Sequence, residues 1–371
     1  MNIAVLGAGM VGRAIALDLS AIHEVTAFDR SEANLQLLQQ KNTAIRIQRC
    51  NLADYAAYNS MLQPFDIVAL AVPGFMGFEA LRHVILAGKN VVDISFFPED
   101  ALQLNQLAKE KGVTAIVDCG VAPGMSNLII GRYDAAMKVD SFAIYVGGLP
   151  QHPQPPFGYK APFSPIDVIE EYTRPARLME NGCIVTRAAL SEREILFFDG
   201  VGNLEAFNTD GLRSLLYTLP HIRNQKEKTL RYPGHIDLII ALQQSGFFSN
   251  TPVVVNEQTI VPLHLTAQLL IEQWKLGEHE PELTVMQVQV QGNQKTICYN
   301  LLDKYDPVTG ISSMARSTGY TCTAAVELVL QQKFITAGVF PPEFVGKDAA
   351  CFEFVCNYLQ QRGVCWKKTE Y

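Results

Sequence analysis

Long hydrophobic runs are missing from this sequence of 371 residues. No apolar stretch continues for about 18 residues, so we expect no membrane-spanning helix. The N-terminus lacks a basic leader, and the apolar run from Ile3 to Leu6 is too short for a signal peptide, so we expect none and a cytoplasmic location. Basic runs are also missing and the net charge is -7, which argues against nucleic-acid and membrane-surface partners.

Paired cysteine motifs are missing as well. None of the eight cysteines forms a CxxC motif or lies in a zinc-type cluster with histidines. In a chain of this size we expect small, buried, apolar thiols in a reducing compartment and no metal site. Internal repeats and low-complexity segments are not found either.

The sequence does contain alternating strand and helix patterns. Its composition is 48% hydrophobic and 18% charged, as is usual for globular proteins, and its length allows two domains. In the first third of the chain, short apolar runs and helical periodicities alternate about six times, which predicts an α/β fold with a doubly wound parallel sheet. Its ligand crevice is expected at the C-terminal edge of the strands.

Three glycines, Gly7, Gly9 and Gly12, follow the first apolar run in "MNIAVLGAGMVGRAIALDLS". Between a strand and a helix, the first allows a tight turn, the second lets a pyrophosphate approach the backbone, and the third lets the helix pack closely. The helix N-terminus offers free N–H groups to phosphates. The pattern predicts a Rossmann-type dinucleotide-binding domain, with contacts from Gly7, Ala8, Gly9, Met10, Val11 and Gly12.

Asp29 ends the second predicted strand, 20 residues after Gly9. A carboxylate there can bind both ribose hydroxyls and would repel a 2′-phosphate, which favours NAD over NADP. The neighbouring Arg30 could instead stack on adenine or accept a phosphate. From the topology, further cofactor contacts are expected at Asn51, Leu52, Ala71, Val72 and Pro73.

Beyond the first third the pattern changes to β-like runs, and the polar alternation of "VMQVQVQG" (residues 285–292) predicts an antiparallel strand with one wet face. We expect a dinucleotide-binding domain at residues 1–127 and a mixed α/β, sheet-based substrate and dimerisation domain at 128–315. C-terminal helices at 316–371 are expected to return to the first domain. An exposed edge at 285–292 could pair between subunits, which predicts a homodimer.

Several later segments group glycine and proline with charged residues. Taken alone, they indicate loops with acid–base groups. Three of them are the most specific: GGLP (Gly147–Pro150), GYK (Gly158–Lys160) and LRYPGH (Leu230–His235). Together with "YNLLDKYDPVTGISSMARSTGY", they make the chain resemble the saccharopine dehydrogenase-like family. The segment "EYTRPARLMENG" and the short length resemble the L-lysine 6-dehydrogenase branch most. Ala122 starts an APG turn where saccharopine reductases have Asp-Pro-Gly, which counts against saccharopine.

The resemblance implies an NAD-dependent oxidoreductase that acts on the ε-amino group of L-lysine. The expected product is the 6-semialdehyde, which cyclises to piperideine-6-carboxylate, with release of ammonia. The nearest alternative is a dehydrogenase or reductase for a secondary amine, such as saccharopine or a carboxynorspermidine-type polyamine. A third hypothesis is a non-catalytic NAD-binding sensor.

Oxidation of an amine needs a base, because the ε-ammonium group has a pKa of about 10.4 and no lone pair. Lys160 is the favoured base, His235 could share the proton transfer, and Asp118 would hold the amine. Each has a structural alternative: a solvated loop lysine, a buried structural histidine and a carboxylate that caps a turn.

Substrate contacts are predicted from the same resemblance. Arg231 is a candidate for the α-carboxylate, with Arg174 and Arg187 as alternatives that the sequence does not separate. Cys119, beside Asp118, is expected to be a buried thiol rather than a redox group. The remaining predicted substrate residues are Tyr159, Asn208, Thr209 and Asp210.

Overall fold

The computed structural model describes residues 1–162 and 165–371. The strands in chain order are β1 (Asn2–Leu6), β2 (Glu24–Asp29), β3 (Arg46–Arg49), β4 (Ile67–Leu70), β5 (Asn90–Asp93), β6 (Thr114–Ile116), β7 (Ser141–Pro150), β8 (Ala176–Glu180), β9 (Cys183–Arg187), β10 (Glu194–Phe198), β11 (Gly202–Asn208), β12 (Asn224–Arg231), β13 (Val253–Val255), β14 (Gln258–Ile260), β15 (Glu282–Gly292), β16 (Lys295–Lys304), β17 (Gly338–Phe340) and β18 (Trp366–Glu370). The helices are α1 (Met10–Leu19), α2 (Glu32–Lys41), α3 (Tyr58–Leu62), α4 (Gly74–Leu86), α5 (Asn105–Lys111), α6 (Met125–Ala136), α7 (Pro165–Thr173), α8 (Leu215–Thr218), α9 (His235–Gln244), α10 (Pro262–Trp274), α11 (Ser313–Leu330), α12 (Pro342–Gly346) and α13 (Ala349–Gln361).

The chain divides into two compact units. The first unit comprises Met1–Val139, Arg213–Leu215 and Met314–Trp366. The second unit comprises Asp140–Leu212, Leu216–Ser313 and Lys367–Tyr371.

The first unit is built on a parallel sheet in the order β17-β6-β5-β4-β1-β2-β3. The strand order reverses between β1 and β4, which is where a doubly wound sheet opens its ligand crevice. β1 beyond Asn2 and all of β4 are buried, because a parallel sheet with helices on both faces keeps its central strands from water. The predicted Rossmann-type sheet is confirmed.

Local sequence signals explain several helix ends in this unit. Ser31 caps α2, with its hydroxyl accepting the N–H of Asn34 at 3.3 Å. Gly112 ends α5 in the left-handed conformation, with φ 66°. These signals lie within a few residues of the boundary that they set, so the sequence predicts these helices closely.

The last strand of the parallel sheet comes from near the C-terminus. β17 pairs in parallel with β6, with Gly338 opposite Thr114 and Phe340 opposite Ile116. A strand here was not predicted, because a three-residue strand is too short to show a periodicity. Near the C-terminus, α13 is hydrogen-bonded to Asp18 of α1. The Asp18 carboxylate accepts hydrogen bonds from Arg362 at 2.6 Å and from Tyr358 at 2.7 Å.

The second unit is built on a mixed sheet in the order β10-β11-β12-β7-β15-β16-β18, with β8 and β9 added beside β12. Its neighbours are antiparallel in the recorded pairs except for β12 and β7, which run in parallel. The predicted mixed α/β second part is confirmed. The proline-rich loop at residues 149–165 includes Phe163 and Ser164, which lie outside the described residues.

The predicted free edge at residues 285–292 is wrong. β15 is hydrogen-bonded along its length to β7 on one side and β16 on the other, with Gln287 opposite both Tyr145 and Asn300. The glutamine alternation reflects partly exposed side chains on one face of an inner strand, not an unpaired edge. This strand therefore has no free edge for pairing between subunits, and the homodimer stays a prediction.

Candidate active site

The glycine turn joins β1 to α1 in the first unit. Gly7 has φ 106°, and a Cβ there would lie 2.2 Å from the carbonyl oxygen of Ala71. A Cβ on Gly12 would lie 1.9 Å from the carbonyl oxygen of Gly7. A Cβ on Gly9, in contrast, would meet nothing within 4 Å. Turn geometry and packing therefore explain two of the glycines, whereas Gly9 leaves backbone bare at a helix N-terminus, where a dinucleotide phosphate fits.

Asp29 connects the end of β2 to this turn. Its Oδ2 accepts the N–H of Ala8 at 2.7 Å, and its Oδ1 accepts the N–H of Ser31 at 2.8 Å. Two backbone donors thus fix the carboxylate at the edge of the crevice. The remaining lone pairs leave room for the ribose hydroxyls that the sequence predicts as ligands.

Two arginines lie beside Asp29. Arg49 is paired with Asp29 in the β2–β3 register, and its Nε donates to the carbonyl of Arg30 at 3.1 Å. Arg30 is a candidate from the sequence because it follows Asp29, whereas Arg49 comes beside Asp29 only through the register of β2 against β3. A carboxylate with one arginine next to it in the chain and another opposite it in the sheet is compatible with a ribose hydroxyl or with a 2′-phosphate.

The other predicted cofactor residues follow β3 and β4. Asn51 is exposed and accepts the N–H of Ala53 with its side chain at 3.2 Å, while the buried Leu52 accepts the Tyr58 hydroxyl with its carbonyl at 2.9 Å. Ala71 donates its N–H to Leu6 at 2.8 Å. The segment that joins β4 to α4 holds Ala71, Val72 and Pro73.

Asp118 follows β6 and is 5% exposed, with a positive φ of 53° that is uncommon outside glycine. Arg213 holds it on both oxygens, with Nε 3.0 Å from Oδ2 and a terminal nitrogen 2.9 Å from Oδ1. The same guanidinium donates to the carbonyl of Phe97 at 2.5 Å and lies 4.6 Å from the ring centre of Phe96. Arg213 is not among the residues predicted for the site, because 95 residues separate it from Asp118 in the sequence.

Asp93 ends the neighbouring strand β5 and is fully buried. Its Oδ1 accepts the N–H of Ser95 at 3.0 Å, whereas its Oδ2 has no hydrogen-bond partner among the described residues. Burial raises the pKa of Asp93 to about 8, against hydrogen bonding from Ser95, which lowers it. From the sequence Asp93 is only the last residue of a predicted strand, and its burial follows from the packing around β5.

In the second unit, Arg231, His235 and Tyr159 lie together in one buried cluster. The guanidinium of Arg231 lies 4.3 Å from the ring centre of Tyr159 and donates to Glu171 at 2.8 Å and to the Tyr172 hydroxyl at 2.9 Å. These partners already satisfy much of its hydrogen-bonding capacity. A role as carboxylate clamp would require Glu171 to move or to share the guanidinium.

Both ring nitrogens of His235 have partners. Nε2 lies 2.9 Å from the Tyr172 hydroxyl, and Nδ1 lies 3.0 Å from the carbonyl of Phe157. Burial, with the nearby charge of Arg231, lowers the pKa of His235 to about 3. The ring is therefore neutral near neutral pH, donates from Nδ1 and accepts at Nε2, which suits a structural role better than proton transfer.

The side chain of Lys160 contacts the C-terminal end of α10. Its Nζ donates to the carbonyls of Gln273 at 2.9 Å and Lys275 at 3.4 Å. A cation there complements the C-terminal end of the helix dipole. Lys160 has no carboxylate partner in the described part of the chain, so its role as base stays a prediction.

The predicted polar loop provides structural pairs. Asp210 accepts both Nε and a terminal nitrogen of Arg177 at 2.9 Å, a two-point contact. Thr209 bonds the Thr229 hydroxyl at 2.9 Å, and Asn208 donates to Glu192 at 2.9 Å. The two alternative arginines are paired as well, Arg174 with Glu170 and Arg187 with both Glu180 and Glu192.

Neither Cys119 nor the possible metal ligands of the described residues form an additional functional site. Cys119 is buried, and burial raises the pKa of its thiol, so a reactive thiolate is disfavoured. Within the described ranges, no group of three or more His, Cys, Asp or Glu side chains could hold a metal ion. None of the helices in those ranges has both the length and the apolar character needed to span a bilayer.

A parallel sheet with a bare glycine turn and an acidic residue at the end of β2 defines a nicotinamide-nucleotide-binding domain. Two family models match the chain, "Saccharopine dehydrogenase NADP binding domain" over residues 3–116 and "Saccharopine dehydrogenase C-terminal domain" over residues 120–364. The chain belongs to the saccharopine dehydrogenase family of oxidoreductases.

Individual relatives are distant. A saccharopine dehydrogenase [NADP(+), L-glutamate-forming] of Pyricularia oryzae is 23% identical over 366 residues, which cover 78% of this chain and 81% of the relative. The Saccharomyces cerevisiae protein of the same name is 25% identical over 67% of this chain and 59% of its own length. The mitochondrial alpha-aminoadipic semialdehyde synthase of Mus musculus is 25% identical over 63% of this chain, but only 27% of the synthase is matched.

One solved structure supports the fold over the whole chain. The apo saccharopine dehydrogenase (L-Glu forming) from Saccharomyces cerevisiae superposes with a TM-score of 0.81 and 20% sequence identity, covering 100% of this chain and 99% of that chain. At this identity the likeness shows the shared fold.

Proposed function

We propose that the protein oxidises the carbon that bears the ε-amino group of L-lysine. A bound nicotinamide nucleotide would supply the hydride acceptor. A base removes a proton from the ε-ammonium group, the carbon gives up a hydride, and the resulting C=N⁺ group takes up water. Ammonia leaves, and the aldehyde condenses with the α-amino group, with loss of water, to form piperideine-6-carboxylate.

The observation that carries this choice is the pairing of guanidinium groups. Five of the six arginines of the second unit are in ion pairs with carboxylates of the same unit: Arg174, Arg177, Arg187, Arg193 and Arg231. The sixth, Arg223, donates to the carbonyl of Asn181 at 3.1 Å. Few guanidinium groups remain for a substrate with several carboxylates, which favours an amino acid with one carboxylate over saccharopine.

Asp118 supports the choice from the first unit. It lies after β6, in the half of the crevice across the β1–β4 switch point from Asp29, where the nicotinamide half of a dinucleotide is expected. Its carboxylate is already paired with Arg213, so it would hold a substrate ammonium group by sharing its oxygens with that guanidinium. We assign Asp118 to hold the amine and Lys160 to take its proton, with His235 as the less favoured partner.

For the cofactor we propose NAD. The fixed carboxylate of Asp29 suits two ribose hydroxyls, and its charge would repel a 2′-phosphate. The relatives that carry NADP(+) in their names favour the other nucleotide, as do the guanidinium groups of Arg30 and Arg49. Both nucleotides therefore belong in the assay.

The same relatives favour a second function, oxidation of the secondary amine of saccharopine. The decisive assay follows reduced-nucleotide absorbance at alkaline pH with NAD or NADP and with L-lysine or saccharopine as substrate. The reverse direction is tested with semialdehyde and either ammonia or L-glutamate. Turnover of lysine with release of ammonia supports the proposal, and turnover of saccharopine alone replaces it. Nucleotide binding without turnover of either amine would favour a sensor protein.

A further inference from the structure

Two buried carboxyl groups and one guanidinium meet at the ends of β5 and β6. We call Asp93, Asp118 and Arg213 the strand-end cluster. The strand ends are joined directly, since the N–H of Cys119 donates to the backbone carbonyl of Asp93 at 2.9 Å. All three side chains are at most 9% exposed, and all three belong to the first unit.

Only one of the two acids, Asp118, is paired with the guanidinium of Arg213. Arg213 donates to Asp118 and to the carbonyl of Phe97. Asp93 accepts the N–H of Ser95 on one oxygen, with a further contribution from the Ser95 side chain, and its other oxygen has no hydrogen-bond partner in the part of the chain that the structure describes. A buried carboxylate without a counter-charge is unfavourable, so Asp93 is expected to hold a proton.

The other groups around Asp93 do not supply a counter-charge. The thiols of Cys119, beside β6, and Cys322, on α11, have raised pKa values because of burial, so they stay neutral. On α4, Gly77 packs on Ser95, while Glu79 pairs with Arg82 at a half-exposed position. Burial raises the pKa of Asp93 to about 8, with the nearby charge of Asp118 raising it further and that of Arg213 lowering it.

The position of the cluster in the sheet links this proton to the cofactor. Asp29 lies on the adenosine side of the switch point, after β2, and the cluster lies on the opposite side, after β5 and β6. An oxidised nicotinamide ring carries a positive charge and a reduced ring does not. In a buried site, one nearby positive charge strongly favours an ionised carboxyl group.

We propose that Asp93 is a proton-holding residue that senses the redox state of the nucleotide. It is protonated in the free protein and with the reduced nucleotide, and it releases its proton to solvent when the oxidised nucleotide binds. The proposal rests on nicotinamide binding by the first unit and not on which amine is oxidised. By linkage, affinity for the oxidised nucleotide increases as the pH rises, by up to about tenfold per pH unit, as long as the pH is below the pKa of Asp93 in the free protein. Affinity for the reduced nucleotide does not change with pH.

The test is isothermal titration calorimetry of the full chain near pH 7, in two buffers of different ionisation enthalpy. NAD⁺, NADH, NADP⁺ and NADPH are each titrated, so that the nucleotide actually bound is used. We expect release of a large fraction of one proton, up to about one, with the oxidised form and almost none with the reduced form. In Asp93→Asn the difference disappears. Asp348→Asn is the matched control, because Asp348 caps α13 and asparagine caps equally well, so its proton release should equal that of the wild type.

A second readout does not depend on the variant folding. Infrared difference spectra of the wild type should lose a protonated-carboxyl band when the oxidised nucleotide is added and keep it with the reduced one. Equal proton release with both redox forms, or unchanged release in Asp93→Asn, overturns the proposal but leaves the cofactor site in place. Absence of binding by all four nucleotides overturns both.

Discussion

The carboxylate of Asp29 accepts the backbone N–H of Ala8 at 2.7 Å, so the acid that would hold the ribose also braces the glycine turn. Asp29→Asn keeps an oxygen for this bond but removes the charge. We expect NAD affinity to fall about 10- to 100-fold, the usual range for loss of a charge-assisted pair of hydrogen bonds. NADP affinity should fall less or rise, because Arg30 and Arg49 remain.

The measurement is titration of both nucleotides by intrinsic fluorescence. Glu32→Gln, an exposed acid in the first turn of α2, is the matched control for loss of nearby charge. NAD affinity that stays constant in Asp29→Asn would remove Asp29 from the ribose site.

Gly9 and Gly12 should respond differently to alanine. Gly9 has φ −65° and open space where a Cβ would lie, so Gly9→Ala should fold with an unchanged Tm and lose nucleotide affinity by more than about tenfold. Gly12→Ala forces a Cβ against the Gly7 carbonyl and should cost about 1–3 kcal/mol of stability. Thermal melts combined with nucleotide titration separate the two effects. Full nucleotide binding by Gly9→Ala would contradict the phosphate site.

Lys160 can be tested with a pair of variants. Lys160→Met removes both hydrogen bonds to the end of α10, whereas Lys160→Arg keeps a donor and a charge but cannot become a neutral base. If Lys160 is the base, both variants should lose about 100-fold or more in kcat, and the group should vanish from the pH profile. Only Lys160→Met should also lower Tm. An arginine variant with normal kcat would show that Lys160 merely anchors the helix.

His235 makes stability depend on pH. Its folded-state pKa of about 3 lies below the value of 6.5 for an unperturbed histidine, so the unfolded chain binds the proton more tightly. Stability from this group is therefore present above pH 6.5 and is lost as the pH falls towards 3, by up to about 1.4 kcal/mol per pH unit.

Urea unfolding between neutral pH and mildly acidic pH measures this slope. His235→Gln should be less stable overall but should lose part of the slope, while His264→Gln, at an exposed position, should keep it. A slope that is the same in His235→Gln and wild type would mean that another group carries the acid sensitivity.

The sequence predicts those parts of the molecule whose causes are local. The bend at Gly7, the cap at Ser31 and the acid at the end of β2 each depend on neighbouring residues, and the resemblance to the family is confirmed. The strand-end cluster depends instead on Arg213 reaching Asp118 from 95 residues away. Likewise, the burial of Arg231 among aromatic rings and its pairing with Glu171 follow from the packing of a whole unit. The prediction of a free edge at β15 was wrong for the same reason. Alternation of polar and apolar residues shows which face of a strand is exposed to solvent, but not whether the strand has neighbours in the sheet.

The pairing of β6 with Gly338–Phe340 has a consequence for synthesis. The nucleotide-binding sheet starts with the second residue of the chain, yet its outer strand leaves the ribosome only after most of the polypeptide has been made. Until then the far side of β6 is an open hydrogen-bonding edge on a nascent chain. A sheet whose first six strands lie before residue 117 is thus completed only when Gly338–Phe340 has been made, and truncation before residue 338 would remove the strand that closes it.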